Sequence, residues 1–198
     1  MARSGVYPPY LKNSAYHIWE ALGNIPRTGW VTRGVKEPES VQSHTVALRH
    51  IAYFCDGLSE NGRRNLIDML EIHDWPEALL GDEVIVCNDP EEKKRLKATK
   101  FEKEHQAMKE ICKSLDTVGE TILYLWLRFE TSDDPVARCA RQIDKYQAIE
   151  KALYYEKTQG IVCFKEFFDY AKHDITHPSL VSMLKKLEEE WLTMNNTP

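Results

Sequence analysis

Four residues of this chain carry side chains that could share one metal ion: His44, the adjacent pair His73-Asp74 in the run Ile72-His73-Asp74-Trp75-Pro76-Glu77, and Asp144. Imidazole nitrogen and carboxylate oxygen together hold a divalent transition metal without any thiolate. Ligands of this kind drawn from three separate helices leave coordination positions open to water and substrate, as metal-assisted hydrolysis requires.

Taken singly, each signal is weak. A lone histidine on an apolar helical stripe is more often a hydrogen-bonded core residue than a ligand, and a His-Asp dipeptide arises by chance in many chains. Combination changes the weighting. His44 shares a face with Leu48, Ile51 and Cys55; His73 closes an apolar helix; Asp144 lies beside an inward stripe, where an unpaired carboxylate is costly. One shared cation satisfies all three.

The elements that must position them read as helices almost throughout. Leu11, Ala15, Ile18, Trp19 and Leu22 recur at helical spacing over 9–22, and Gly23 stops that segment. Residues 24–40 are loop-like, broken by Pro26, Gly29, Gly34 and Pro38. Ser40 is an N-cap for a helix from Val41 to Asp56, and a third helix begins after Ser59 and carries Leu66, Ile67, Leu70 and His73. Pro76 interrupts it and Gly81-Asp82 ends it. Asp89-Pro90 and Asp134-Pro135 each pair a capping carboxylate with a proline at the first helical position. They open a long charged helix reaching Leu115 and a helix whose stripe is Val136, Cys139, Ala140, Ile143 and Gln147. Between them, Thr121 to Phe129 is an apolar, buried helix; a last pair covers Cys163 to Ala171 and Leu180 to Trp191. The only strand signal is the short run Val84-Ile85-Val86. The reading is a single all-α domain.

Composition narrows the partners. Apolar residues at 42% and charged residues at 29% describe an ordinary globular chain that can bury a core. A net charge of -5 argues against a nucleic-acid surface, which wants a basic stripe. No apolar run reaches the ~18 residues of a membrane span, and the first ten residues lack a signal-peptide core. Five cysteines, odd in number and with no Cys-x-x-Cys pair, point to reduced thiols in a cytoplasmic protein rather than a disulfide framework.

The order His, His-Asp, Asp on successive helices resembles the HD superfamily of metal-dependent phosphohydrolases. The segments Pro26-Arg27-Thr28-Gly29-Trp30-Val31, Pro38-Glu39-Ser40-Val41, His73-Asp74-x-x-Glu77-x-x-x-Gly81-Asp82 and Gln142-Ile143-Asp144-Lys145 are similar to its 5′-deoxynucleotidase branch. The resemblance implies an HD-like helical bundle with its core over about 25–155, on which the helix at 9–22 and the helices of 163–194 pack. It implies that His44, His73, Asp74 and Asp144 bind one divalent ion. It implies further that Glu77 positions or deprotonates the attacking water, that Asp82 acts beside it, and that Trp30 closes the substrate pocket. In the bacterial deoxynucleotidases an arginine precedes this tryptophan, whereas Gly29 stands here. Arg27 and Arg33 are the remaining phosphate clamps, with Arg27 preferred.

The implied reaction is hydrolysis of a nucleoside 5′-monophosphate, a deoxyribonucleotide above all, to nucleoside and phosphate. Two imidazoles and two carboxylates suit Mn, Co, Fe, Ni or Zn better than Mg. The alternatives are another phosphate ester (a cyclic nucleotide, a triphosphate or a pyrophosphorylated nucleotide) and a non-catalytic nucleotide-binding protein, whose expected mark would be a missing ligand or a missing Glu77. The stripe Leu180, Leu184, Leu187, Trp191 is a candidate homodimer face. His173 and His177 have a chelating spacing, but His177-Pro178 favours a helix break between them. His17, His50 and His105 read as surface or core rather than as ligands, and the run Glu91 to Arg95 reads as a solvated helix face.

Overall fold

The computed structural model describes residues 15–196, so the start of the helix expected at 9–22 lies outside the described residues. Helices follow one another in the order α1 Tyr16–Gly23, α2 Thr28–Val31, α3 Val41–Ala52, α4 Glu60–Ile72, α5 Glu77–Leu80, α6 Pro90–Lys113, α7 Thr117–Thr131, α8 Pro135–Gln159, α9 Phe164–Ala171 and α10 Pro178–Asn196. The all-α expectation holds. Val84-Ile85-Val86 is extended coil without a ladder partner, and the only pairing among the described residues outside helices is an isolated bridge between Pro26 and Ser40.

The capping chemistry expected from the sequence is in place. Ser40 accepts a hydrogen bond from the Ser43 N–H, Ser59 from Gly62, Asp89 from Glu92, and Asp134 from both Val136 and Ala137. Each satisfies backbone donors that a helix start leaves open. Asp134 is also gripped by Arg128 at 2.7 and 2.9 Å, which ties the end of α7 to the start of α8. At the far end of α8, Gly160 takes a left-handed φ of 70°, which closes the helix at low cost.

Boundaries moved where turns outweighed periodicity. The helix from Val41 ends at Ala52, not Asp56, because Tyr53, Phe54 and Cys55 close with tight i→i+3 bonds. The region 24–40 holds the one-turn helix α2, and His73 lies just past the end of α4 rather than within it. There Trp75 N bonds Ile72 O and Glu77 N bonds Asp74 O, so the chain bends before Pro76 and restarts as α5.

One large apolar cluster runs from Ile18 and Leu22 through Leu48, Leu66, Met69, Leu70, Met108, Trp126, Ile143 and Ile149 to Leu180 and Leu184. The long helix α8 packs against α3, α4, α7, α9 and α10 and forms its spine. The candidate dimer stripe is used up inside the chain. Leu180 and Leu184 are buried, Leu187 and Trp191 pack on the same core, and the Trp191 indole donates to Glu156 at 2.8 Å. The homodimer expectation therefore loses the face proposed for it. Among the described residues no helix is long and apolar enough to cross a membrane.

Candidate metal centre and substrate cavity

α3, the α4–α5 turn and α8 bring the predicted ligands together. Ligand atoms of His44, His73 and Asp144 all lie within 4.8 Å of one another. His44 Nε2 is 3.1 Å from Asp144 Oδ1, a contact between residues 100 positions apart in sequence that only the α3–α8 packing makes. Asp74 joins through Oδ2, at 3.0 Å from His73 Nε2 and 3.7 Å from His44 Nε2.

Both imidazoles are oriented from behind. His44 Nδ1 meets Gln147 Oε1 at 2.8 Å and His73 Nδ1 meets the Leu70 carbonyl at 2.9 Å. With Nδ1–H donated rearward, each Nε2 keeps its lone pair for the cluster. Those two Nε2 atoms are buried and make no hydrogen bond, although carboxylate oxygens lie beside them. Buried polar atoms without a hydrogen bond are costly; two imidazoles and two carboxylates in this arrangement fit a divalent transition metal. Trp126, itself fully buried, donates its indole N–H to the His73 carbonyl at 3.0 Å and fixes the turn to the core.

The charges are strongly coupled. Burial alone would lower the pKa of His73, but Asp74 and Asp144 outweigh it and push it up to about 9. The same carboxylates that stabilise a proton there would stabilise a metal cation in its place. Burial raises Asp74 and Asp144, yet the neighbouring imidazoles and Arg27 hold both below the usual carboxylate range. Glu77 is different. It is 3% exposed, its Oε2 has no hydrogen-bond partner, and burial reinforced by Asp74 and Asp82 pushes it up to about 10. Arg27 and Lys100 oppose that rise.

Beside the cluster opens a cavity of about 550 Å³, within the usual size of a small-ligand site. Arg27 belongs to both: its guanidinium reaches Asp74 Oδ2 at 3.3 Å and also lines the cavity. Trp30, Phe167 and Tyr170 give it an aromatic wall, Val84 to Val86 an aliphatic one, and Arg33 and Lys93 two further cations. Trp30 is 2% exposed and stacks on Phe167 with ring centres 4.9 Å apart, so it is a fixed wall. Arg33 is already engaged, donating to Glu166 at 2.5 Å and to the Gly29 carbonyl at 3.0 Å. Arg27 is thus the cavity-lining cation that touches a candidate ligand. Asp82 lines the cavity too, but its carboxylate accepts the Thr28 N–H at 2.5 Å and its carbonyl the Thr28 hydroxyl at 2.7 Å. It anchors the start of α2.

Comparison with known proteins agrees with this geometry. The profile described as HD domain matches residues 19–183, wider than the core expected at 25–155. The chain belongs to the HD-domain family. Within it, this chain is 33% identical over 171 residues to 5′-deoxynucleotidase HDDC2 of Danio rerio, covering 85% of this chain and 82% of the relative. It is 30% identical to the Homo sapiens protein of the same name, with 85% and 80% covered. Among solved structures, the predicted metal-dependent phosphohydrolase of Magnetospirillum magnetotacticum superposes with a TM-score of 0.67 at 20% identity, over 92% of this chain and 93% of that one. That last likeness is one of fold.

Several members of the site have no signal in single-sequence reading. Glu39 stands out only as a buried polar residue once the fold is known. Lys100 from α6 lies near Glu77 and Asp74, and Glu104 and Glu130 from α6 and α7 gather with it toward Asp74, where the sequence shows only charged positions on long helices. Gln147, three residues after Asp144 on the same inward stripe, was the one findable from spacing. His173 is exposed in the turn before α10, and the described residues that could hold a metal do not include it.

Proposed function

We propose that this HD-domain chain is a divalent-metal-dependent phosphohydrolase that cleaves nucleoside 5′-monophosphates, deoxyribonucleotides in particular, to nucleoside and phosphate. The observation that carries the reading is the meeting of His44, His73, Asp74 and Asp144 around two orphaned imidazole nitrogens, at the edge of a cavity with an arginine and an aromatic wall. The names of the curated relatives support the substrate class.

A divalent ion held by those four residues supplies Lewis acidity toward a phosphate oxygen and lowers the pKa of water. The rest falls to the chain's own groups. Arg27 offsets phosphate charge and orients the ester against the ligands. Glu77 accepts the proton of the attacking water, which requires its carboxylate form; Arg27 and Lys100 favour that form, and a divalent ion held by the four residues would do the same. Water oxygen bonds to phosphorus as the P–O5′ bond breaks; O5′ takes a proton from solvent, and Glu77 returns to solvent the one it accepted. Trp30, Phe167 and Tyr170 offer the apolar surface for sugar and base. Mn, Co, Fe, Ni or Zn fit the donor set better than Mg. Neither the cytoplasmic location nor the paired assembly expected from the sequence enters the chemistry of this site.

A phosphate-release screen against nucleoside monophosphates, triphosphates and cyclic nucleotides, with each metal added in turn, tests the reading. Release from 5′-monophosphates is the expected result. Release from triphosphates alone would transfer the function to the alternative substrates, and no release from any ester would favour a non-catalytic binder.

A further inference from the structure

Glu39 is a carboxylate in the interior: 7% of the residue is exposed, and the catalytic reading gives it no task. Its place is set by the bridge between the two ends of the 26–40 loop, where Arg27 N donates to the Glu39 carbonyl at 3.0 Å and Val41 N to the Ile25 carbonyl at 2.9 Å. The Glu39 N–H in turn donates to the Tyr155 hydroxyl at 2.8 Å. Three donors converge on its two side-chain oxygens. Trp30 Nε1 reaches Oε1 at 3.0 Å, Gln147 Nε2 reaches Oε2 at 3.0 Å, and Lys151 Nζ lies 3.5 Å from Oε2. A carboxylate that only accepts matches that surround.

The direction of the next bond follows. A glutamine amide can sit either way round, and its assignment comes from its neighbours. Here Glu39 can only accept, so Gln147 must turn its NH2 group toward Glu39 and its carbonyl toward His44. The carbonyl can only accept, so His44 Nδ1, 2.8 Å away, must carry the proton. The neutral imidazole then has no proton on Nε2, the atom that faces Asp144 and Asp74.

We propose that Glu39 is a positioning residue that acts through Gln147 to lock His44 in the metal-binding tautomer, with Trp30 and Lys151 holding Glu39 in its accepting role. The relay joins Trp30, in the aromatic wall of the cavity, to an imidazole of the candidate metal centre. It rests on the metal site proposed above, but its first consequence, the tautomer of His44, exists in the metal-free protein and can be read without any metal. Outer partners of this kind typically govern metal affinity by 10–100-fold.

Glu39→Gln tests it. A glutamine at 39 can present either an oxygen or an NH2 group to Gln147, so Gln147 is free to turn over and offer its own NH2 to His44, which would then protonate Nε2. The doubly exchanged protein, Glu39→Gln with Gln147→Glu, keeps the polarity: the new glutamate accepts from His44 Nδ1 while the new glutamine donates to it. Nitrogen-15 NMR of the histidines in metal-free protein, recorded at a pH where the His44 ring is neutral, reports the tautomer, and competition with a chromophoric chelator reports zinc affinity. The expected result is an Nδ1–H tautomer for His44 in the natural protein and mixed tautomers in Glu39→Gln, with zinc bound about 10–100-fold more weakly. Most of that affinity should return in the double exchange. Glu39→Gln with unchanged tautomer and affinity would overturn the relay. So would a folded double exchange, shown by unchanged circular dichroism and melting, that binds zinc no better than the single variant. If the natural protein shows the Nδ1–H tautomer yet binds no divalent ion, the metal site fails and the relay stands.

Discussion

Replacing Glu77 by glutamine should make the metal-free protein more stable while ending catalysis, and the size of the gain should depend on pH. Glu77 has an ordinary carboxyl pKa near 4.5 when exposed, and burial with Asp74 and Asp82 nearby pushes it up to about 10 in the folded chain. The folded state therefore holds a proton that the unfolded state releases. Stability is full below the unfolded pKa, declines as pH rises through the window between the two values, and levels off above the folded one. One proton is worth about 1.4 kcal/mol per pH unit inside that window. From pH 5 to pH 8 the ceiling is thus about 4 kcal/mol, and relaxation or water entry brings the expected loss to about 2 kcal/mol. Glutamine is nearly isosteric with the protonated acid and does not titrate. Urea unfolding of both proteins in chelator at pH 5 and pH 8, followed by circular dichroism, isolates the difference from every other titrating group. With a slope of about 2 kcal/mol per molar urea, the natural protein should lose about 1 M more in midpoint than Glu77→Gln. Parallel losses would refute the account of Glu77 as a carboxyl held neutral by burial. Retained metal with near-normal turnover in Glu77→Gln would separately remove it from the role of base.

Three further outcomes are expected. His73→Ala should lose bound metal, measured by elemental analysis after dialysis, and all phosphate release, while its helical circular dichroism stays. Arg27→Met removes a charge-assisted contact worth about 1.5–3 kcal/mol, so kcat/KM for a nucleoside monophosphate should fall about 10–150-fold; an unchanged value would move the phosphate clamp elsewhere. Asp134→Ala strips two capping bonds and the Arg128 pair from the α7–α8 junction, at a cost of about 1–2 kcal/mol. Calorimetry should show a melting temperature lower by about 2–8 °C, with metal content unchanged.

The helices and their starts were written locally. Serine or aspartate at Ser40, Ser59, Asp89 and Asp134 bonds to backbone donors two or three residues on, so a cap needs only its own neighbourhood to be recognised. The candidate metal ligands were legible for a related reason: His44, the end of α4 and Asp144 lie on or beside apolar stripes, and a polar group pointed inward demands a partner. Where local signals misled, tertiary contacts had the last word. The stripe from Leu180 to Trp191 read as a free face because its spacing is right for one, but α8 and α9 were there to cover it. Val84-Ile85-Val86 has the residues of a strand but, among the described residues, no strand to pair with, and it lines a cavity instead.

The sequence by itself determined an all-α chain, its capped helix starts and the four residues proposed as metal ligands, since each is expressed in spacing along one helix or turn. Only the tertiary structure decided what stands behind and beside those ligands. Arg27 against Asp74, Glu39 and Gln147 behind His44, and Lys100 near Glu77 are meetings of residues far apart in the chain. Hydrogen bonds between residues so far apart in the chain exist only between packed elements, and no periodicity records them.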